Sequence, residues 1–434
     1  MAIGPNVVRW SNETGFVLAT AAAAVGLGNL WRFPYVAGEN GGAAFVIAYL
    51  LAVVVVGIPL MVLEISAGRA ERGSPVRTFR SIYKPASVLG WGIVLLTVII
   101  MSYYLVITGW TLGFAVEAVQ GNLISFEGFT DGYITLLYFA IVALITGVVV
   151  ARGVSAIEVL SKFMMPILIT IVIILTVNSL TMEGRGEALQ FLFNPDFSLW
   201  RSPTLWLLAF GQAFYSLAVG QGYLITYGSF LPRTVNLPRA SGMVALIETG
   251  IAILAGLMMF PIVFSFQELD PGEGTELAFT TLPLAFEQMG AWGGLLGAVF
   301  FVLFFVAAIS SCIAGMEVVK NAVKEEFQVS SVVATLISFI PIIPLGILSA
   351  LSFTPLEVEV LGRPFLDVLD LFAANQIVVT SGILGGAVIS WCISREDLIN
   401  GFGTRWYKLA WWTVTAARYL PIPALLLVAL SFIF

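Results

Sequence analysis

The chain consists of long apolar segments separated by short polar stretches. Each segment continues for about 20 residues or more with almost no charge, which is the length that a helix needs to cross a hydrocarbon core of about 30 Å. We therefore predict an all-α membrane protein with eleven transmembrane helices, at residues 15–37, 42–68, 87–120, 134–150, 160–180, 203–231, 240–266, 292–323, 330–352, 366–394 and 406–434. No small-residue cleavage pattern follows the first segment, so we expect it to remain in the mature protein.

Charge is unevenly distributed between the predicted loops. Most lysines and arginines, such as Arg72, Lys162 and Lys324, fall on one side of the helices, whereas acids such as Glu127 and Glu273 collect on the other. The positive-inside rule then places the N-terminus in the cytoplasm and, with eleven helices, the C-terminus outside the inner (plasma) membrane. The net charge of −6 comes from the outer loops and gives no reason to expect a nucleic-acid partner.

Composition narrows the chemistry further. Only 11% of residues are charged, against roughly 25% in soluble domains. The chain contains no histidine, which removes the commonest transition-metal ligand and proton shuttle. Cys312 and Cys392 lie inside predicted helices without metal-ligand spacing. We therefore expect a protein without enzymatic activity.

One glycine-containing motif occurs twice, at Ala24–Gly28 and Ala218–Gly222. Five helices lie between the starts of the two copies, so the second copy enters the membrane in the opposite direction. Glycines weaken a helix by roughly 1 kcal/mol each relative to alanine and release backbone groups from its hydrogen bonds. Exposed backbone at membrane depth is tolerated only around a cavity or inside protein, so the matching breaks predict a binding site near the midplane. Close helix packing through small residues is the alternative interpretation.

The residues around both breaks occur in an order that is known from one transporter family. The matching segments are Gly26–Tyr35, Glu39–Gly42, Gly57–Leu60 with Glu64, Tyr103–Tyr104, Trp110–Gly113, Gln212–Leu217, Ser310–Ser311 and Asp367 with Asp370. They resemble the neurotransmitter:sodium symporters, and among these the prokaryotic amino-acid carriers. The resemblance implies a single transporter domain over residues 1–434, with inverted repeats at 10–180 (helices 1–5) and 200–394 (helices 6–10), broken helices 1 and 6, and an additional helix 11 at 405–434.

The resemblance also implies two sodium sites, because Na⁺ prefers oxygen ligands and broken helices supply carbonyls beside side-chain oxygens. The expected ligands of the first sodium are Ala24, Asn29, Ser216 and Glu248. The expected ligands of the second sodium are the carbonyls of Ala22, Val25 and Ala307 and the hydroxyls of Ser310 and Ser311.

Glu248 departs from the asparagine or aspartate that is usual in the family. A carboxyl group inside helix 7 is costly and indicates function. It either reaches the sodium directly, acts through a neighbouring ligand, or is protonated and hydrogen-bonded in the core. Chloride-dependent animal members have a serine where this chain has Ala252. Because a carboxylate at Glu248 supplies the negative charge that chloride otherwise brings, we expect chloride-independent transport.

The substrate implied by the resemblance is a neutral amino acid. Its carboxylate is expected at the free amides of the helix-1 break and at the hydroxyl of Tyr104. The whole predicted substrate site comprises Ala23, Ala24, Leu27, Gly28, Ile100, Tyr104, Tyr215, Ser216, Ala218, Gln221, Ser311 and Gly315. Ala218 and Gly315 are small where relatives carry bulkier groups, which favours a large hydrophobic substrate. The Gln221 amide, which is costly in an apolar pocket unless paired, bonds either a polar substrate group or the helix-6 backbone.

Two gates follow from the same resemblance. Arg32 and Asp370 are the expected outer gate, above a lid formed by Tyr104 and Tyr215. Asp370 stands near the start of an apolar helix and alternatively caps it. At the inner face, Glu325 matches the family's gate acid, and Arg9 is its suggested partner.

Other solutes and other classes of protein remain as alternatives. A carrier of betaine, taurine or a related osmolyte has the same fold, but a quaternary ammonium calls for an aromatic cage, and no tryptophan falls at the predicted pocket positions. A channel or a membrane sensor is less favoured, because the sequence shows neither a short pore-forming unit nor a soluble output domain. With eleven predicted helices where many relatives have twelve, the resemblance implies no particular oligomeric state.

Overall fold

The computed structural model describes residues 9–266, 278–393 and 407–420, and these residues are mainly helical. In chain order the helices are α1 (Glu13–Ala24), α2 (Gly28–Glu39), α3 (Ala43–Glu71), α4 (Pro75–Ile82), α5 (Lys84–Val119), α6 (Phe126–Thr130), α7 (Ile134–Arg152), α8 (Val154–Ser179), α9 (Arg185–Phe193), α10 (Pro203–Ser216), α11 (Tyr223–Ser229), α12 (Leu237–Phe264), α13 (Thr281–Gln288), α14 (Ala291–Phe327), α15 (Ser331–Leu351), α16 (Phe365–Cys392) and α17 (Tyr407–Tyr419). A short antiparallel hairpin of β1 (Glu359–Val360) and β2 (Arg363–Pro364) precedes α16.

Helix occupies part of each of the eleven predicted segments. Within the described ranges, eight helices are long and apolar enough to cross a membrane, and α1 with α2, bent by 53°, makes a ninth. The other two predicted segments contain shorter helices: α10 with α11, and α17. The remainder of the segment predicted at 406–434 lies outside the described residues, so the count of eleven stays a prediction, as do the inverted repeats.

The outer faces of the helices differ sharply from the interior. Large apolar side chains such as Phe163 (69% exposed) and Leu336 (65% exposed) point outward, as expected for surfaces that contact lipid. In the interior, α5 packs along α14, and α1 packs against α8, α12 and α14. The helices around α1 therefore enclose the first of the two glycine motifs.

The chain leaves the helical conformation at both glycine motifs. Helix α1 ends because Val25 adopts an extended conformation, with φ −76° and ψ 101°. Between α10 and α11 the backbone is left-handed at Ala218 (φ 56°), Gly220 (φ 80°) and Gly222 (φ 80°). A left-handed conformation costs a residue other than glycine about 1–2 kcal/mol, so the surrounding structure must hold Ala218 in place.

Helices α3 and α11 touch backbone to backbone through two glycines. A Cβ atom on Gly68 would overlap the carbonyl group of Ile225, and a Cβ atom on Gly228 would overlap that of Ile65. Helix α3 also contains a π-helical turn at Val53–Gly57, and Gly57 lies against Leu217 at the second break. The two interrupted halves α10 and α11 are thus both in contact with α3.

Because of this contact, an added methyl group should lower stability at Gly68 but not at a glycine with free space around it. Gly68→Ala forces two backbones apart and should destabilise the protein by about 1–3 kcal/mol, as overpacking does elsewhere. Gly92→Ala is the matched control, since this exposed glycine of α5 has no atom within 4 Å of the added Cβ. Melting in detergent should show a lower transition temperature for Gly68→Ala and an equal or higher one for Gly92→Ala. A Gly68→Ala variant that melts at or above the wild-type temperature contradicts the close contact.

Candidate functional site

A cavity of about 20 Å³ lies between the two helix breaks. Its lining residues are Ala23, Ala24, Gly26, Gly28, Ile100, Tyr104, Tyr215, Ala218, Gln221, Tyr223 and Ser311. Most of the predicted substrate residues are therefore together, whereas Leu27, Ser216 and Gly315 are not in the lining. A larger groove of about 640 Å³ between α7 and α15 is almost wholly apolar and faces outward, so it is not a candidate for a polar solute.

The helix-1 break provides polar backbone groups at one end of the cavity. The hydroxyl of Tyr104 accepts a hydrogen bond from the Leu27 amide at 2.9 Å. Gly26, which the sequence analysis left without a role, lies where any Cβ would collide with the hydroxyls of Tyr104 and Ser311. The sequence signal for Gly26 was its position in the repeated motif. Because Gly26 has no side chain, both hydroxyls can reach the break.

Three of the four residues predicted for the first sodium, Asn29, Ser216 and Glu248, form one buried cluster. The Asn29 side-chain amide donates to the Glu248 carboxylate at 2.6 Å, and Ser216 lies within hydrogen-bonding reach of the same carboxylate. Tyr49, which the sequence analysis missed, places its hydroxyl 3.2 Å from the Ser216 hydroxyl and 3.4 Å from the carboxylate. Nothing in the sequence around Tyr49 indicated this position, since it lies within an apolar helix.

The cluster contains one acidic group, which suits a monovalent cation. The Glu248 carboxyl group is fully buried, and the described residues include no lysine or arginine in an ion pair with it. A buried carboxylate without a cationic partner is costly, so a bound cation would relieve it. Within the described ranges no three acidic, histidine or cysteine side chains converge as a divalent-metal site would require. The neutral oxygens of Asn29, Ser216 and the Ala24 carbonyl fit Na⁺.

Three of the five residues predicted for the second sodium, Ala22, Ala307 and Ser310, meet where α14 packs against α1. The Ser310 hydroxyl lies 2.7 Å from the carbonyl oxygen of Ala22 and 2.8 Å from that of Ala307, and its one proton can be donated to either. The Ser311 hydroxyl donates instead to the Ala23 carbonyl at 3.0 Å and lines the cavity. Oxygens of Ala22, Ala307 and Ser310 are thus side by side, and α1 ends at Val25 next to them.

Arg32 and Asp370 both lie near Tyr215. The Arg32 guanidinium is 5.4 Å from the ring centre of Tyr215 and donates to the side chain of Gln212, whose own amide donates to the Gly28 carbonyl at 2.8 Å. Asp370 is within electrostatic range of Arg32. Because α16 begins at Phe365, Asp370 stands beyond its first turn, so the alternative that it caps the helix is wrong.

The predicted inner pair does not form in this conformation. The Glu325 carboxylate accepts a hydrogen bond from the Ser74 amide at 2.8 Å, at the start of α4. Among the described residues, no ion pair joins it to Arg9, which is exposed. A backbone amide at a helix start attracts a carboxylate as an arginine does, and the sequence did not reveal that α4 would begin beside Glu325.

The structure changes the interpretation of Gly315 and of Gln221. The space beside Gly315 is filled, because an added Cβ would lie 2.5 Å from the Met101 sulfur and 2.6 Å from the Tyr223 hydroxyl. The expectation that Gly315 enlarges the pocket was therefore wrong. The side-chain amide of Gln221 donates to the Tyr215 carbonyl at 3.2 Å, so it does pair with the helix-6 backbone.

Known proteins share the sequence pattern and the fold of this chain. A family profile described as "Sodium:neurotransmitter symporter family" matches residues 8–135 and 124–433. The chain belongs to the sodium:neurotransmitter symporter family. It is 34% identical to the uncharacterized sodium-dependent transporter YhdH of Bacillus subtilis, over 90% of this chain and 89% of that protein.

More distant relatives and a solved structure extend the comparison. An uncharacterized sodium-dependent transporter of Methanocaldococcus jannaschii is 32% identical, over 95% of this chain and 88% of that protein. A sodium- and chloride-dependent taurine transporter of Rattus norvegicus is 24% identical, over 95% of this chain and 77% of that protein. The crystal structure of MhsT in complex with L-phenylalanine superposes with a TM-score of 0.90 at 36% identity, over 98% of this chain and all of that one. The predicted membership of this family of sodium-dependent membrane transporters is confirmed.

The position of Tyr49 leads to a prediction for this family member. Tyr49→Phe removes one hydroxyl from the cluster of Asn29, Ser216 and Glu248. The sodium concentration for half-maximal substrate binding should rise about 2- to 10-fold, as expected for one hydrogen bond of about 0.5–1.5 kcal/mol. Sodium titration of substrate binding in detergent measures this change. Tyr138→Phe, on the distant helix α7, is the control and should leave the sodium requirement as it is. Equal requirements in the two variants would exclude Tyr49 from the sodium site.

Proposed function

We propose that the chain imports a neutral amino acid together with sodium, by alternating access across the inner membrane with its N-terminus in the cytoplasm. The observation that carries the proposal is a cavity between two helix breaks, with amides at one wall and a buried carboxylate cluster behind it. A zwitterionic amino acid needs both an anion site for its carboxylate and carbonyls for its ammonium. Interrupted helices supply both kinds of group from the backbone, so no charged side chain besides Glu248 has to be buried.

The carboxylate of the substrate is proposed to bind at Leu27 and Gly28. Helix α2 begins at Gly28, so its first amides and the positive end of its dipole face the break. The Tyr104 hydroxyl, which already accepts from the Leu27 amide, still has its own proton to donate to a carboxylate oxygen. The cavity of about 20 Å³ has room for one or two water molecules, so its lining must move apart to accept an amino acid.

The first sodium is proposed to lie between this carboxylate and Glu248. Ala24 lines the cavity, and Asn29 connects the break to the Glu248 carboxylate. A sodium ion there contacts both the substrate and the protein, so each stabilises the binding of the other. The second sodium is proposed at Ser310 and Ser311, where it ties α1 to α14. Its release frees α1 to move and opens the path to the cytoplasm.

The outer gate is proposed to close as Arg32 approaches Asp370 above Tyr215. Arg32 is 3% exposed and is bound to the helix-1 break through Gln212, so movement of the break and of the gate are mechanically linked. The attraction between an arginine and a carboxylate is strong when water is excluded and weak when water enters. Glu325 is proposed to perform the corresponding role at the inner face.

A ligand screen tests the proposed transport directly. Purified protein should be stabilised against thermal unfolding by at least one neutral amino acid in NaCl and not in KCl. Proteoliposomes loaded without sodium should accumulate the same amino acid only when sodium is present outside. Taurine and betaine are included as the osmolyte alternative. Stabilisation by an osmolyte alone, or uptake that is independent of sodium, contradicts the proposal.

The second sodium site can be tested at its hydroxyls. Ser310→Ala and Ser311→Ala each remove one proposed ligand and should raise the sodium concentration for half-maximal uptake by about tenfold, equivalent to about 1.4 kcal/mol. Ser338→Ala is the matched control, because this buried hydroxyl donates only to Ala334 within α15. A Ser310 variant with the sodium dependence of the Ser338 control removes that residue from the site.

Chloride provides a separate test of Glu248. Because this fixed carboxylate lies among Asn29, Ser216 and Tyr49, no additional anion is needed to balance sodium there. Sodium-driven uptake should therefore continue at an unchanged rate when gluconate replaces chloride on both sides of the membrane. Collapse of uptake in gluconate would show that Glu248 does not replace chloride.

A further inference from the structure

Tyr223 lines the cavity from the side of the second helix break. It is the first residue of α11, is 4% exposed, and places its hydroxyl beside Gly315 and Met101. A glycine at position 315 thus makes room for this phenol rather than for a larger substrate. The wall on this side of the cavity is consequently polar.

Helix α5 shows how far this wall lies from the carboxylate end. Successive turns of α5 contact different parts of the cavity: Tyr104 meets the Leu27 amide, Met101 meets the Tyr223 phenol, and Thr97 donates to the Gln221 carbonyl at 2.8 Å. Seven residues of α-helix correspond to about 10 Å. Positions 97 and 104 of α5 are therefore about 10 Å apart, so an amino-acid side chain that extends from the break along α5 would reach Gln221 and Tyr223.

Two polar groups at this end are without a protein partner. The Tyr223 hydroxyl makes no hydrogen bond with the described residues, and its side chain lines the cavity. The Gln221 amide uses its nitrogen for the Tyr215 carbonyl, which leaves its oxygen as an acceptor beside the cavity. Buried polar groups are normally satisfied, and a binding site that leaves them unsatisfied rejects ligands that cannot pair with them.

We propose that the transported amino acid is a neutral one whose side chain carries a hydroxyl group, which pairs with the Tyr223 hydroxyl and the Gln221 carboxamide oxygen. This inference rests on the proposed amino-acid transport and specifies its substrate class. The phenol both donates and accepts, and the Gln221 oxygen accepts. A substrate hydroxyl satisfies both, whereas a methyl group of the same size satisfies neither. Tyr223 and Gln221 are then residues that determine specificity.

Matched pairs of amino acids test the inference on the wild-type protein. L-Threonine and L-valine have the same shape, and L-serine with L-alanine and L-tyrosine with L-phenylalanine each differ by one hydroxyl. Sodium-dependent binding is measured for all six by competition against whichever labelled amino acid binds. We expect the hydroxyl member to bind about tenfold or more tightly in at least the pair whose size fits the cavity. Tighter or equal binding of the apolar member in every pair overturns the inference while leaving amino-acid transport intact. Sodium-dependent binding of no amino acid at all refutes the transport proposal itself.

A variant then assigns the preference to the phenol. Tyr223→Phe removes one oxygen, so the preference within the fitting pair should fall to about threefold or less, a loss that corresponds to the hydrogen bond removed. Affinity for the apolar member should stay the same or increase. Tyr227→Phe is the control, since Tyr227 lies one turn further along α11, is equally buried and packs on Trp10 outside the cavity. A full preference in the Tyr223→Phe variant, or the same loss in the Tyr227→Phe variant, overturns the role of Tyr223.

Discussion

Backbone groups that have left their helices are the constraint on which the rest of this structure depends. Such groups are costly at membrane depth unless side chains pair with them. Each of several freed groups has a partner from another helix. The pairs are Leu27 amide with Tyr104, Gly220 amide with Glu64, Gly220 carbonyl with Ser381, and Gln221 carbonyl with Thr97. The helices around the breaks are therefore positioned by hydrogen bonds to backbone as well as by apolar packing.

Amide side chains connect these backbone groups to the buried charges. Asn29 accepts from the Gly26 amide at 3.4 Å with its oxygen and donates to Glu248 with its nitrogen. Gln212 donates to the Gly28 carbonyl and accepts from Arg32. A carboxamide has a donor and an acceptor on one rigid plane, so it can link a backbone group to an ion of either sign. The carboxylate side and the guanidinium side of the break are thereby coupled through neutral residues.

The sequence predicted those features that depend on residues close together in the chain. Apolar segments indicated the helices, because their length is set by the membrane, and the paired glycines indicated both breaks. The family resemblance brought together Asn29, Ser216 and Glu248, and Ser310 with Ala22, as the structure does. These agreements reflect motifs in which residue type and position are both constrained.

The remaining features depend on contacts between distant parts of the chain. A glycine at position 315 does not show from the sequence whether the volume beside it is empty or filled. Only the packing shows that Tyr223 and Met101 fill it. Tyr49 lies in an apolar helix whose sequence does not distinguish a buried hydroxyl at a site from one in the core. Glu325 matched the family's gate acid, but its partner is the backbone amide of Ser74. Every residue except proline has such an amide, so the sequence could not identify this partner.

The glycine contact between α3 and α11 determines how the broken sixth helix can bend. Gly68 and Gly228 hold α11 against one half of α3, while the other half of α3 lies against α10. Any change in the angle between α10 and α11 must therefore be matched by flexing of α3. The π-helical turn at Val53–Gly57, which contacts Leu217, is a place where the hydrogen bonds of α3 depart from the regular α pattern and where it can flex. The stiffness of α3, which is continuous across the membrane, thus sets how far α10 and α11 can move relative to each other.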